Sequence, residues 1–316
     1  MILGRTHGTQ AVRDSLSAVS RPPGSTLVLG GSGFLGAHVV ALASRTGAVT
    51  SACREPARTP DLGAARAIDR REVDATRPGG IEALLEELAP ARIVNCAALG
   101  RIPHCEERPD LARALNADLP GRLARWSARH GARFVHVSTD LVFGREPPPE
   151  GGFREEDRPS PIQEYGRSKA AGEQAVLAAD PCALVVRLPL LCGFSGGRGL
   201  GASDALLAAR DRGETPTLFT DEWRTPLDVR VAASALVELL LRGDSGLLHA
   251  AGADRVSRHE IGLLVLGRAR VRPGRRGELR PEDVSLDSRR ARGRLVTPLP
   301  GIRETLSAGR GSPAPS

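Results

Sequence analysis

Aromatic residues and lysine are scarce in this chain of 316 residues. Phe, Trp and Tyr make up 3% of it, so the hydrophobic core must consist mainly of Leu, Val, Ala and Ile. The sole lysine, Lys169, follows the sole tyrosine, Tyr165, by four positions. On a helix this spacing places both side chains on one face. There the ammonium would lower the pKa of the phenol, as a proton donor or acceptor requires; a core tyrosine beside a solvated lysine is the alternative.

Several features of secreted, metal-binding and membrane proteins are absent from the sequence. The cysteines form no Cys-x-x-Cys pair and the histidines no His-Glu-x-x-His motif, so neither a disulfide framework nor a metal site is predicted. No apolar run reaches the roughly 20 residues of a membrane span. Residues 1–24 lack the hydrophobic segment of a secretory signal. We therefore expect a cytoplasmic protein with a disordered extension over residues 1–24 and a disordered tail over residues 307–316.

The formal net charge is +7 and is carried almost entirely by arginine. Such an excess favours an anionic partner, either a phosphorylated cofactor or nucleic acid. The arginines are scattered among Asp and Glu and are not interleaved with aromatic residues, so no binding to nucleic acid is predicted.

Strand-like runs alternate with helical segments over the first 190 residues. This alternation is typical of parallel pairing, so we predict an α/β fold with a doubly wound parallel sheet. We assign residues 25–190 to one large domain and residues 191–306 to a smaller lobe partly interleaved with it. The predicted strands cover residues 26–29, 49–53, 72–74, 92–96, 134–139, 183–187 and 246–249. The predicted helices cover residues 34–45, 81–88, 109–130, 204–212, 231–241 and 259–268, and one more carries Tyr165.

A glycine pattern, Gly30-x-x-Gly33-x-x-Gly36, follows the first strand and opens a helix. Glycine permits a tight turn and lets backbone N–H groups approach a pyrophosphate at the positive end of a helix. A glycine turn that only packs helix on strand is the alternative. We predict a Rossmann-like dinucleotide site that uses Gly30, Ser32, Gly33, Phe34, Leu35 and Gly36.

Arg54 stands at the end of the second strand, where an acid would bind a ribose diol and an arginine pairs with a 2′-phosphate. Arg54 therefore favours NADP, whereas the adjacent Glu55 would favour NAD. Asp74 and Ala75 follow the third strand, where they could meet an adenine amino group; a solvated aspartate is the alternative. We assign Arg54, Asp74 and Ala75 to the cofactor site.

Thr139 ends the fifth strand, and Tyr165 follows it by 26 residues. Ligands bind at the carboxyl ends of the strands in such sheets, and a hydroxyl there can hydrogen-bond a substrate carbonyl oxygen. A β-branched residue that simply ends a strand is the alternative. Thr139, Tyr165 and Lys169 form the predicted catalytic set.

Several motifs, taken in order, resemble those of the extended short-chain dehydrogenases/reductases, and within them the dTDP-4-dehydrorhamnose reductases. The likeness runs from about residue 25 to residue 306. Its main motifs are Gly30–Gly36, Asn95-Cys96-Ala97-Ala98, Ser138-Thr139-Asp140-Leu141-Val142-Phe143-Gly144 and Tyr165-Gly166-Arg167-Ser168-Lys169. Supporting stretches are Asn116-Ala117-Asp118, Ala171-Gly172-Glu173, Arg224-Thr225-Pro226 and Arg280–Leu286.

The resemblance implies an NAD(P)H-dependent reductase of a nucleotide-linked 4-keto-6-deoxysugar. Tyr165 would give its proton to the carbonyl oxygen, Lys169 would lower the Tyr165 pKa and hold the nicotinamide ribose, and Thr139 would orient the ketone. A homodimer is a possible assembly. The resemblance also assigns Cys96, Ala97 and Ala98 to the cofactor, and Asp140, Arg187, Trp223 and Arg224 to the substrate, which makes residues 191–306 a substrate-binding lobe.

Leu141 argues against a dehydratase reaction. Related nucleotide-sugar 4,6-dehydratases carry Thr-Asp-Glu where this chain has Thr139-Asp140-Leu141, and leucine can neither take nor give a proton. Two other functions stay open: an NADP-binding regulatory subunit resembling that of methionine adenosyltransferase, and an epimerase that holds NAD tightly. Residues 222–226 depart from the reductase pattern, so the sugar, its nucleotide and the ketone position also stay open.

Overall fold

A seven-stranded parallel sheet forms the centre of the computed structural model, which describes residues 24–195 and 197–308. The strands along the chain are β1 (Thr26–Leu29), β2 (Val49–Cys53), β3 (Ile68–Glu72), β4 (Arg92–Asn95), β5 (Arg133–Thr139), β6 (Leu184–Leu188), β7 (Leu191–Cys192), β8 (Thr217–Phe219), β9 (Trp223–Arg224), β10 (Leu227–Asp228), β11 (Gly246–His249), β12 (Val256–Ser257) and β13 (Arg272–Gly274). The order in the main sheet is β11-β6-β5-β4-β1-β2-β3, and all its neighbouring pairs are parallel. The predicted doubly wound α/β fold is confirmed.

Helices cover both faces of this sheet. They are α1 (Phe34–Ala43), α2 (Gly80–Leu88), α3 (Ile102–Glu107), α4 (Pro109–Arg113), α5 (Leu119–His130), α6 (Glu164–Ala179), α7 (Ala202–Asp211), α8 (Val229–Arg242), α9 (Arg258–Leu266), α10 (Arg289–Arg292) and α11 (Ile302–Ala308). Several of their ends are fixed by local chemistry. The side chain of Asp228 caps α8, Ser257 and Glu260 form a capping box on α9, and Gly131 ends α5 with a φ of 62°.

Two hydrophobic clusters sandwich the sheet because successive strand residues point to opposite faces. Val28 belongs to the cluster under α1 and α8, whereas its neighbour Leu27 belongs to the cluster under α2 and α5. Trp126 and Phe134 are fully buried on the α5 side. Aliphatic residues form most of both clusters, as the composition predicts.

Residues beyond 190 contribute to the main sheet as well as to the smaller lobe. β11 pairs with the edge of β6, and α8 packs on α1. The remaining strands form three two-stranded pairs, β7 with β10, β9 with β12 and β8 with β13. The strand order of the main sheet reverses between β1 and β4, so the crevice at their carboxyl ends is where a ligand is expected.

The sequence misplaced several elements. The strand predicted at 72–74 lies at Ile68–Glu72, a polar and largely exposed run whose residues give no apolar alternation. The helix predicted at 109–130 contains a π-helical turn over Ala114–Asp118, and the six-residue α3 was not predicted. Residues 307 and 308 end α11 and do not belong to a disordered tail, whereas residues 1–23 and 309–316 lie outside the described residues. None of the helices in the described ranges has the length and apolar character needed to cross a membrane.

Candidate active site

The glycine-rich turn between β1 and α1 is packed too closely to admit side chains. Gly30 has a φ of +77°, and a Cβ there would lie 2.8 Å from the backbone nitrogen of Ala97. A Cβ on Gly36 would lie 2.2 Å from the carbonyl oxygen of Gly30. Gly33, the residue before α1, offers no capping side chain, and the first turn of α1 holds no acid. The N–H groups at this positive helix end are therefore free to meet an anion.

A cavity of about 540 Å³ lies at the carboxyl ends of β4, β5 and β6. The start of α1 borders it on one side, and residues of the smaller lobe border it on another. It brings together a large part of the predicted site. The predicted residues that line it are Phe34, Leu35, Cys96, Ala98, Thr139, Asp140, Tyr165, Lys169 and Arg224.

Two of the predicted catalytic hydroxyls, those of Thr139 and Tyr165, line the cavity. Thr139 Oγ1 donates to Asp140 Oδ1 at 3.0 Å and accepts from the backbone N–H of Leu141 at 3.2 Å. Thr139 and Asp140 both influence the pKa of Tyr165, in opposite directions. The phenol therefore lies close to a threonine hydroxyl and to a carboxylate.

The pKa of Tyr165 moves opposite to the prediction. Burial raises it above its usual value, the charge of Asp140 raises it further, and Thr139 only partly offsets these effects. Lys169 is not among the causes of this shift. The predicted direction of the Tyr165 pKa shift is therefore wrong for this structure, in which loss of hydration is the largest effect. Tyr165 is a protonated donor here.

Lys169 lines the cavity and is only 2% exposed. Its Nζ donates to the carbonyl oxygen of Val137 at 2.6 Å and lies 3.1 Å from His136 Nε2. Burial lowers the pKa of Lys169 to about 8, against the opposing effects of Glu173 and Cys96. A lysine that is easily deprotonated is suited to passing a proton.

Charged residues from the smaller lobe form the far wall of the cavity. Arg224 bridges two buried carboxylates, Asp140 and Glu222, each at 3.0 Å. Arg280 contacts Glu222 at 3.1 Å, and Arg258 approaches it to 4.0 Å. Arg224 Nε and Arg258 Nη1 are buried and have no hydrogen-bond partner among the described residues.

Ionisation in this cluster follows from the balance of burial and pairing. Burial raises the pKa of Asp140, although Arg224 opposes the shift. Burial alone would also raise the pKa of Glu222, but Arg224, Arg258 and Arg280 together lower it. The wall thus contains a firmly ionised Glu222 surrounded by three guanidinium groups, and its positive excess suits an anionic ligand.

Arg187, which was assigned to the substrate, does not line the cavity. Its Nε and Nη2 donate to the two carboxylate oxygens of Glu173 at 2.9 and 2.7 Å, and its Nη1 lies 3.1 Å from His249 Nε2. Arg187 and Glu173 are both almost fully buried. Arg187 therefore ties β6 to α6 inside the core and has no donor facing the substrate cavity.

Trp223 is also absent from the cavity wall. It lies between Glu222 and Arg224, and because alternate strand residues point to opposite sides, its ring faces away from them. The Arg255 guanidinium stacks on the ring at 4.1 Å from its centroid. The structure therefore does not bring Trp223 together with the other predicted substrate residues.

The remaining predicted cofactor residues lie outside the cavity. Arg54 is exposed after β2, whereas Glu55 is engaged by Arg58 at 2.7 Å. Asp74 accepts two hydrogen bonds from Thr76, which lower its pKa. Ser32 lies in the turn and Ala97 lies against it: the Ser32 carbonyl accepts from Arg198, and the Ala97 N–H donates to Asn95 at 3.1 Å. Ala75 follows β3, and its carbonyl accepts from Arg122 at 3.2 Å.

Some residues of the site were not predicted. Asn116, in the π-helical turn, bonds Leu99 through both its oxygen and its nitrogen and donates to Ser168 Oγ at 3.0 Å. His136 lies fully buried behind Lys169. A histidine inside the apolar run of β5 was the available signal for His136. The sequence does not show that Glu222, Arg258 and Arg280 share one site, because the fold alone brings them together.

Comparison with known proteins agrees with this geometry. The family described as "RmlD substrate binding domain" matches residues 24–295. The dTDP-4-dehydrorhamnose reductase of Mycobacterium tuberculosis is 34% identical over 309 residues, covering 92% of this chain and 93% of the relative. A crystal structure of a hypothetical dTDP-4-dehydrorhamnose reductase from Sulfolobus tokodaii superposes with a TM-score of 0.74 at 29% identity, covering 88% of this chain and 97% of that one.

A second solved structure shares the fold at lower identity. The dTDP-4-dehydrorhamnose reductase of Bacillus anthracis, in complex with NADP, gives a TM-score of 0.77 at 23% identity, covering 90% of this chain and 97% of that one. The predicted family is confirmed by the extent of these matches, and the chain belongs to the RmlD substrate binding domain family.

Proposed function

We propose that this chain is an NADPH-dependent reductase of a nucleotide-linked 4-keto-6-deoxysugar. The observation that carries the proposal is that Thr139, Tyr165 and Lys169 line one cavity, which is also bordered by the start of α1 after the glycine-rich turn. The Mycobacterium tuberculosis relative, which matches 92% of this chain, is named as a dTDP-4-dehydrorhamnose reductase. Family and site therefore support the same reaction class.

The residues of the turn fit a dinucleotide. The space at Gly30 and Gly36 is filled by backbone, so the chain runs tightly enough to present the N–H groups at the start of α1 to a pyrophosphate. Arg54 makes no ion pair with any described carboxylate, whereas Glu55 is held by Arg58. An unpaired arginine at this place supports NADPH over NADH. When bound, NADPH supplies the hydride.

The chain's own residues would handle the ketone and the proton. Tyr165, kept protonated by burial, would donate to the oxygen as negative charge develops on it. Thr139 would orient the same oxygen, with Asp140 fixing the direction of the Thr139 hydroxyl. Lys169, below them, would return a proton to Tyr165 between turnovers. Leu141 lines the cavity where a dehydratase would need a carboxylate.

The positive wall of the cavity supports an anionic sugar nucleotide as the substrate. Arg224 and Arg258 each retain an unpaired buried donor, and the smaller lobe supplies both residues. We propose residues 191–306 as the substrate-binding lobe on this ground. A homodimer remains a prediction, and light scattering on the purified protein tests it.

Turnover with defined substrates tests the proposal. Purified protein mixed with NADPH and a dTDP-4-keto-6-deoxysugar should consume the absorbance of reduced nicotinamide. Tyr165→Phe should lower kcat by about 100-fold or more, the range of a lost general acid, and leave NADPH affinity unchanged. Trp223→Phe, outside the cavity, is the matched aromatic control and should keep kcat. Cofactor binding without reduction of any keto-sugar would contradict the proposal.

A further inference from the structure

Asn95, His136 and Lys169 form a buried chain of hydrogen bonds behind the cavity. Asn95 on β4 stands directly opposite His136 on β5. Asn95 Nδ2 lies 3.2 Å from His136 Nδ1, and His136 Nε2 lies 3.1 Å from Lys169 Nζ. Asn95 and His136 are fully buried, and Lys169 is nearly so. Asn95 and His136 cannot exchange their partners for bulk water without a structural change, whereas Lys169 also borders the cavity.

The donor and the acceptor of each of these hydrogen bonds can be assigned by starting from the Asn95 end. The backbone N–H of Ala97 can only donate, and it lies 3.1 Å from Asn95 Oδ1. The Asn95 NH₂ must therefore face His136, and Nδ1 of His136 is the acceptor. A neutral imidazole whose Nδ1 accepts carries its hydrogen on Nε2. That hydrogen points at Lys169 Nζ.

Two donors would oppose each other if Lys169 were an ammonium. The ammonium has no lone pair, so the Nε2–H of His136 would lose its acceptor. The neutral amine has one lone pair, which can accept from Nε2–H, and its remaining hydrogens still serve the Val137 carbonyl at 2.6 Å. The alternative tautomer of His136 would require Asn95 to turn, and the Ala97 N–H would then lose its acceptor. The hydrogen-bond pattern therefore matches the amine.

The other groups around Lys169 do not reverse this preference. Cys96 faces it from the end of β4, and Tyr165 and Glu173 lie on its own helix. Glu173 favours the ammonium, but Arg187 holds both of its oxygens and Ser138 donates to one of them at 2.6 Å. Burial of Lys169 lowers its pKa to about 8 and acts in the same sense as the hydrogen-bond pattern. His136 is itself kept neutral, because burial and Lys169 lower its pKa well below the usual value.

We propose that His136, oriented by Asn95, is a positioning residue that stabilises the neutral amine of Lys169 by donating its Nε2 hydrogen to Nζ. For its kinetic consequence this inference rests on the proposed reductase function. After Tyr165 has lost its proton to the substrate, a proton would pass from the Lys169 ammonium to the phenolate. The O–H bond forms as an N–H bond breaks, Nζ keeps the electron pair, and that pair accepts from His136. Solvent then returns a proton to Nζ.

The single lysine of the sequence makes a direct test feasible. Protein labelled with [ε-¹³C]lysine carries one labelled side chain, Lys169, whose chemical shift reports its protonation without any substrate. The wild-type midpoint is expected near pH 8. His136→Gln can turn its amide oxygen towards Nζ and should raise the midpoint by at least about one pH unit. His130→Gln on α5 is the matched control and should leave it unchanged.

Asn95→Asp tests the same series of hydrogen bonds, but by a change at Asn95 instead of His136. A carboxylate can still accept from the Ala97 N–H but cannot donate to Nδ1, so His136 should adopt the opposite tautomer and the Lys169 midpoint should again rise. A wild-type midpoint at or above the ordinary lysine value, or an unchanged midpoint in both variants, would overturn the proposal. If neither variant folds, ¹⁵N spectra of histidine-labelled wild-type protein decide, because a buried imidazole protonated on Nδ1 would refute it.

Kinetics then separate this inference from the proposed function. If the chain is the reductase, the fall of kcat at high pH should move upward in His136→Gln by the same interval as the lysine midpoint. A merely structural role would lower kcat equally at every pH. If no keto-sugar is reduced, the proposed function fails, while the lysine titration still decides the role of His136.

Discussion

Replacing Arg187 by methionine should destabilise the fold strongly without acting through the substrate. The side chains of Arg187 and Glu173 are 2% and 4% exposed, and two hydrogen bonds of 2.9 and 2.7 Å join them. Methionine fills a similar volume but leaves the Glu173 carboxylate buried with only Ser138 as a donor. Leaving one member of a buried pair uncompensated costs about 3–5 kcal/mol in the free energy of unfolding.

Urea denaturation measures this cost, and two further variants show where it comes from. The double variant Arg187→Met/Glu173→Gln removes both charges and should recover most of the lost stability. Arg212→Met breaks a solvent-exposed pair with Glu214 and should cause no measurable change. A stable Arg187→Met protein whose only defect is a raised KM for the sugar nucleotide would refute this reasoning and restore Arg187 to the substrate site.

Three other predictions follow from the site. The pKa of Lys169 is about 8 in the folded protein and about 10.5 in the unfolded chain, so the unfolded state binds more protons between these pH values and the free energy of unfolding rises with pH. Measured by urea denaturation relative to Lys169→Met, the wild type should gain about 2 kcal/mol of stability between pH 8 and pH 10. With [ζ-¹³C]tyrosine, whose one label is Tyr165, the cofactor-free protein should show a phenol still protonated at pH 10, and a midpoint below 9 would contradict the burial argument. In a fluorescence titration, Arg54→Ala should weaken NADPH binding about tenfold and leave NADH binding unchanged. Arg58→Ala is the control and should have less effect on NADPH binding, because Arg58 is already paired with Glu55.

The central fold and the catalytic residues could be predicted because local sequence determines them. β1 is a short, mainly aliphatic run, and the glycines between β1 and α1 are required by the backbone itself. The four-residue spacing of Tyr165 and Lys169 fixes their common face on α6 wherever that helix packs. These features need no knowledge of long-range contacts.

The differences between expectation and structure concern residues whose positions depend on long-range partners. Arg187 has the charge expected of a residue that binds an anionic substrate, but it forms a buried ion pair with Glu173 of α6. Trp223 lies one position from two cavity residues, and strand alternation turns it away. The direction of the Tyr165 pKa shift depends on burial and on Asp140, neither of which the Tyr-Lys spacing reveals. β3 was predicted a few residues too late in the sequence because an exposed edge strand can be polar throughout.

The position of β11 bears on how the protein is made. β6 is bordered on one side by β5, and its other edge stays open until residues 246–249 dock against it. During synthesis the nascent chain must therefore carry an apolar, unpaired strand edge for the whole interval between residues 188 and 246. Any stop or cleavage within that interval would leave this edge uncovered, and the resulting fragment should aggregate.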